Sequence, residues 1–295
     1  MPETEIKNEI PVENSRAYAN FYSWFLLPLM IVLVGLGLAI PLFNTLYGES
    51  EDISYWMNEI KYGSYNKRWT SAQRMASIMM ADTTRIPHDS GFQGKLIGAL
   101  EEARIDDYKM RFFLISIMGM TRDKAYGKTL VNSLEDNNRD CVRAAINSIG
   151  LIKYKPGFSA IIDMLKYEDD NRIRLDLCVT LGELGNKEAI SILSNIHSND
   201  ENQNVRWEAA LALLKLGYEN SKSTIASLLS MEEYSKYPQI TNDEIERTIL
   251  TILEIIDRLG LNNDIAFTPS IVALASSNKY PLVKSRAKNI LEANG

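Results

Sequence analysis

Two thiols, two imidazoles and a regular column of guanidinium groups are the side chains of this sequence with chemistry to offer. Cys141 and Cys178 are its only cysteines, and His88 and His197 its only histidines. A cysteine nucleophile needs a base beside it, and a metal site needs several thiolate or imidazole donors at ligand spacing. Neither histidine is spaced for a triad or a metal; His197 falls at a turn between helices and His88 inside an insertion. The cysteines occupy different positions of successive units, one just before a helix and one four residues past Arg174. They read as buried free thiols and not as a redox pair. GxxxxGK[ST], GxGxxG after a strand, and CxxC are all absent from the sequence. The expectation is a non-enzymatic protein with no catalytic residue, no metal and no cofactor.

The guanidinium column is Arg111, Arg143, Arg174 and Arg206, at intervals of 32, 31 and 32 residues. An anion-binding stripe would need a basic setting. Here 32 Lys and Arg stand against 38 Asp and Glu, a net charge of −6. Surfaces that neutralise phosphates show the opposite balance, so nucleic acid is excluded as a partner. The column is read as structural: each arginine holds an acid or a carbonyl of the preceding turn or of a neighbouring unit. Asp107, Asp170 and Asp200 are turn acids within reach.

Such a column has to be carried by a repeat. Of 295 residues 45% are apolar and 24% charged, a folded composition. An apolar-Arg pair followed by an Ala-rich stretch recurs at Met110-Arg111, Val142-Arg143-Ala144-Ala145, Ile173-Arg174 and Val205-Arg206-Trp207-Glu208-Ala209-Ala210. Ile173 to Gly185, Val205 to Gly217 and Val283 to Gly295 share a spacing of twelve. A less regular copy opens at Lys67-Arg68-Trp69, and a degenerate one runs from Ile245 to Gly260 with Glu246 in the arginine slot. Seven units of about 32 residues nearly fill positions 52–295. Each unit reads as two helices. Leu193 and Ile196 share one apolar face, a polar turn Asn199–Asn202 follows, and Val205, Ala209, Leu213 and Leu216 form the second face, closed by Gly217. No stretch of 52–295 alternates with period two, which argues against a sheet. A lone hairpin of this kind cannot bury its apolar stripe, whereas stacked neighbours can.

The sequence of acidic turn, Val-Arg, Ala-rich helix and Leu-Gly resembles the short bacterial HEAT repeats also seen in phycobilin lyase-like proteins. The resemblance covers Met110–Gly295 well and extends more weakly back to Asp52. It implies an all-α, right-handed α-solenoid of about seven HEAT-like hairpins, and a ladder role for the arginine column. Departures fall at Arg122 and Tyr154, which stand where the twelve-residue spacing calls for glycine. A lyase-like enzyme or a small-ligand-binding protein is the alternative that the resemblance raises, although the sequence identifies no chromophore pocket.

A second element precedes the repeats. No charged residue occurs from 17 to 48, and the core, 21–43, contains fourteen Leu, Ile, Val or Phe among 23 residues. As a helix it would measure about 34 Å against a hydrocarbon layer of about 30 Å. Glu3, Glu5, Glu9 and Glu13 make 1–16 unlike a signal peptide. The expectation is a single-pass protein of a bacterial inner membrane, in contact with lipid through 21–43. Lys7 and Arg16 before the span against Lys61 after it place the N-terminus in the cytoplasm and the solenoid outside.

The expected function is a membrane-anchored, non-catalytic scaffold or accessory subunit of a membrane complex, a transport assembly among the settings considered, with protein partners. Two surfaces compete for that partner. One is the concave side lined by the second helices near 143–153, 174–184 and 206–216, carrying Lys153 and Glu183. The other is formed by the insertions 81–93 and 231–242. The tip with Tyr234, Tyr237 and Pro238 is favoured, because aromatic groups give contact area at low entropic cost.

Overall fold

The structure is a computed structural model that describes residues 52–103 and 107–293. Among them fifteen α-helices and no strand are found. In chain order these are α1 (Ile53–Tyr62), α2 (Tyr65–Ala81), α3 (Ser90–Ala103), α4 (Tyr108–Met120), α5 (Gly127–Asn132), α6 (Arg139–Leu151), α7 (Phe158–Tyr167) and α8 (Asn171–Leu184). They continue as α9 (Ile190–Asn199), α10 (Gln203–Lys215), α11 (Lys222–Leu228), α12 (Met231–Tyr234), α13 (Asn242–Arg258), α14 (Thr268–Ser276) and α15 (Pro281–Glu292). They pair as antiparallel hairpins whose second, or B, helices are α2, α4, α6, α8, α10, α13 and α15.

The polar turns do local work at the start of the B helices. Asp107, Asn138, Asp170 and Asn202 are N-caps of α4, α6, α8 and α10, their side-chain oxygens accepting amide hydrogens of the first turn. Thr241 and Glu244 close a capping box on α13. At the other end the repeat asks for one left-handed residue. Gly185, Gly217 and Gly260 supply it, but the chain also adopts positive φ at Arg122 (55°) and Lys153 (51°). The departures from the Leu-Gly pattern therefore change the residue and not the turn; in the Val142 unit the left-handed position is Lys153, one residue before Tyr154. A side chain in that conformation costs about 1 kcal/mol. Arg122 is exposed, so Arg122→Gly is expected to raise stability by about 1 kcal/mol and the melting temperature by about 2–4 °C, read by calorimetry.

Successive B helices approach closely through small residues. A Cβ on Gly119 would meet the Ser148 Cβ at 2.7 Å, and one on Gly182 would meet the Ala212 Cα at 3.0 Å. The Ser148 hydroxyl donates to the Ile115 carbonyl, and that of Thr180 to the Ile146 carbonyl, at 3.0 Å each. The row of B helices is interrupted after α10. There the buried core divides: Val205, Ala209 and Leu213 join the N-terminal cluster, while Trp207, Ala210 and Leu214 join the C-terminal one. Between α11 and α13 lie α12 and the segment 235–241, which no other unit has.

One expectation is corrected here. The tail 1–16 and the proposed span 21–43 lie outside the described residues. Among the described residues no helix is long and apolar enough to cross a membrane. The longest, α2 and α13, have 17 residues each, about 26 Å of rise against a hydrocarbon layer of about 30 Å. Both also carry charged residues. The expected single-pass localisation, its orientation, the lipid contact and the membrane complex are withdrawn on this finding.

Candidate functional site

The arginine column forms bonds in two directions. Arg111 holds Asp136 bidentately, Nε to Oδ2 at 2.7 Å and Nη2 to Oδ1 at 3.1 Å, while Nη1 donates to the Ala103 carbonyl at 3.2 Å. Arg174 repeats this on Asp200 at 2.9 and 3.0 Å, with Nη1 on the Asp169 carbonyl at 2.8 Å. Each guanidinium thus holds carbonyls of its own turn behind it and the turn acid of the next unit ahead. The acids are oriented in turn, since Asp136 accepts the Asn138 amide and Asp200 the Asn202 amide. Arg143 differs: it holds Asp176 on the neighbouring helix α8, Nε to Oδ2 at 2.6 Å. Glu168, which stands 25 residues past Arg143 as Asp136 does past Arg111, is instead taken by Arg139. Arg206 has carbonyls only, those of Asp200 and Glu201, plus the Gln203 side chain. Asp107 and Asp170 cap their helices instead of holding an arginine of the column, and Asp170 also pairs with Arg172 at 3.5 Å.

Among the described residues Arg206 has no forward acid, and this coincides with the insertion. Tyr234 is 4% exposed, and its hydroxyl donates to the Leu228 carbonyl at 2.8 Å. Tyr237 is half-buried and donates to Gln203 Oε1, the same oxygen that Arg206 uses. Both rings stand edge-on to Trp207, with centroids at 5.9 and 5.1 Å. The favoured partner contact is corrected accordingly: Tyr234 and Tyr237 cover Trp207 and brace α10, and only Pro238 of the three is exposed. The apolar reason is direct, because an indole left open where the B row breaks is covered by the two nearest aromatic rings.

The thiols and one of the two imidazoles occupy structural positions. Cys141 and Cys178 are free and buried. Burial pushes the Cys141 thiol up to about 12 and also raises that of Cys178. Neither should react with a disulfide reagent at pH 8 in the folded chain, and both should react on unfolding, as counted by released chromophore. The His197 Nδ1 lies 3.2 Å from the Arg206 carbonyl oxygen, and its Nε2 lies 3.3 Å from the Thr224 hydroxyl. His88 is exposed.

Two features of the B-helix face were not read from the sequence. The first is a convergence on Glu183 near the end of α8. Lys215 of α10 lies 3.0 Å away, Arg258 of α13 3.4 Å away, and Lys153, just past α6, 3.8 Å away. Four successive B units thereby bring their C-terminal ends to one carboxylate. Burial opposes its charge, yet Lys215, Arg258 and Lys153 together hold its carboxyl below the ordinary value. Three cations thus meet one anion at helix ends that favour cations. Lys153 and Arg258 remain more than half exposed.

The second feature is a groove of about 280 Å³ between the N-terminal halves of α10 and α13. Leu175, Trp207, Leu211, Leu228 and Ile240 line it, and Asn204, Glu208, Glu244, Arg247 and Thr248 supply its polar groups. The break in the B row opens it, while Arg258 ties the far end of α13 to Glu183. The spacing of Trp207, Glu208 and Leu211 on one helix was visible, but the splay that makes a groove of them was not.

Residues 158–237 match the family of HEAT repeats. Among solved structures, the complex of CpcE and CpcF of phycocyanin lyase from Nostoc sp. PCC7120 is similar at a TM-score of 0.54 and 15% identity, over 82% of this chain and 94% of that one. No curated protein matches the sequence. At that identity the likeness shows the fold, an all-helical HEAT-repeat arrangement.

Proposed function

We propose that this chain is a non-catalytic docking scaffold and that a protein partner seats on the B-helix face between α6 and α13. The observation that carries the reading is the convergence on Glu183. It gathers charge from four units onto one accessible surface, as an interface needs for steering and register. The burial of both thiols and the structural engagement of His197 support the non-catalytic part. The similar phycocyanin lyase structure is itself a complex of two chains, which favours a protein partner.

The test is affinity capture of the full chain from its own cells with cross-linking and identification of the bound protein. Reversing Lys153 and Arg258 together to Glu is expected to weaken that partner at least tenfold, about 1.4 kcal/mol. An unchanged affinity would refute the face. A second reading, a lyase-like enzyme or small-ligand-binding protein, is favoured by the likeness to phycocyanin lyase alone. It would be supported by a small molecule, instead of a protein, retained through purification and lost with the same reversal.

A further inference from the structure

Glu208 occupies an unusual position in this chain. It sits on α10 in the groove, beside Trp207 and Leu211, and its carboxylate makes no hydrogen bond or ion pair among the described residues. The charged groups that act on it are themselves engaged elsewhere. On α8, Asp176 is held by Arg143 and Glu183 by three cations. On α10, Lys215 is bound to Glu183. On α13, Arg247 lies in the same lining without an ion pair among the described residues, and its charge is not among those that act on Glu208. Burial raises the Glu208 carboxyl, Glu183 and Asp176 raise it further, and Lys215 only partly opposes them. A half-buried carboxylate without a partner is costly to keep, and a neutral residue would lower that cost.

The groove has the size and lining of a side-chain socket. At about 280 Å³ it falls just below the range of small-molecule sites, about 300–1,000 Å³. Its walls are an indole and aliphatic side chains, and beside them the Glu208 carboxylate has no partner among the described residues. Such a lining fits a long methylene stem that ends in a planar cation. A guanidinium can pair bidentately with a carboxylate, stack on an indole, and give up its hydration more readily than an ammonium.

We propose that the groove between α10 and α13 receives an arginine side chain of the docked partner protein, its guanidinium paired with Glu208 and its stem laid along Trp207 and Leu211. This inference rests on the docking reading and deepens it.

The experiment uses the full chain labelled with ¹⁵N at its tryptophan indoles, the Trp207 signal being assigned by Trp207→Phe. The probe is N-acetyl-arginine methylamide, with the norleucine analogue as a neutral control. The arginine probe is expected to move the Trp207 signal at concentrations at least about fivefold below those the control needs. In Glu208→Gln that preference should vanish, while the melting temperature rises because a half-buried, unpartnered charge has been removed. Equal titration by both probes, no movement at tens of millimolar, or a lowered melting temperature in Glu208→Gln would overturn the socket. The two proposals separate in partner capture. A partner lost by the Lys153 and Arg258 reversal but retained in full by Glu208→Gln leaves the face standing and overturns the socket; loss with Glu208→Gln as well supports it.

Discussion

Replacing Arg174 by alanine is expected to destabilise the unit Ile53–Gly295 by about 3 kcal/mol, lowering its melting temperature by about 6–12 °C. The Arg174 side chain is 15% exposed and that of Asp200 7%. Truncation removes both bonds to the carboxylate and leaves it buried with the Asn202 amide as its remaining donor. The Asp169 carbonyl loses a donor as well. Removing one partner of a buried pair costs more than the pair itself contributes, because an uncompensated charge remains. The double change Arg174→Met with Asp200→Asn should therefore recover more than half of the loss. Arg206→Ala, which strands no carboxylate, should cost less than Arg174→Ala. Equal costs for the two would show that the forward acid does not matter.

Replacing Trp207 by alanine is expected to cost about 4 kcal/mol, the range for deleting a buried large aromatic group. The indole is 7% exposed and lies where the two core clusters meet along α10. Its loss removes the surface on which Tyr234 and Tyr237 rest, so the damage should be local as well as large. Limited proteolysis should cut near 235–241 at a rate raised at least tenfold, and urea unfolding should separate into two steps. A single cooperative transition with the segment still protected would mean that the insertion is held by something other than Trp207.

The repeat and its arginine column were legible because each unit solves the same problem with the same residues in the same slots. A guanidinium four residues past a polar cap, as in Asp107 to Arg111 or Asn202 to Arg206, is a local pattern that one sequence displays. The forward acids were within reach of the same method: Asp136 follows Arg111 by 25 residues as Asp200 follows Arg174 by 26. Of the two, Asp200 is among the turn acids expected to hold an arginine, and Asp136 is not. Tyr234 and Tyr237 were misread for a different reason. A segment with two tyrosines, a proline and several charges has the composition of a solvated tip. Its burial depends on an indole 27 residues earlier, on a helix face that the break in the B row uncovers. Arg122 and Lys153 hid the regularity of the caps, because the backbone takes the left-handed turn at a cost that the sequence does not announce. The Glu183 convergence and the Glu208 groove depend on how helices up to 75 residues apart lean on one another, as Arg258 does on Glu183. No local spacing encodes that.

The docking face is tested most directly by hydrogen exchange on the full chain with and without its captured partner. Protection is expected at the C-terminal ends of α6, α8, α10 and α13, around Lys153, Glu183, Lys215 and Arg258, with the first helices of the hairpins, α7 and α9, unchanged. Protection confined to α7 and α9, with those four helix ends exchanging as in the free chain, would contradict the account.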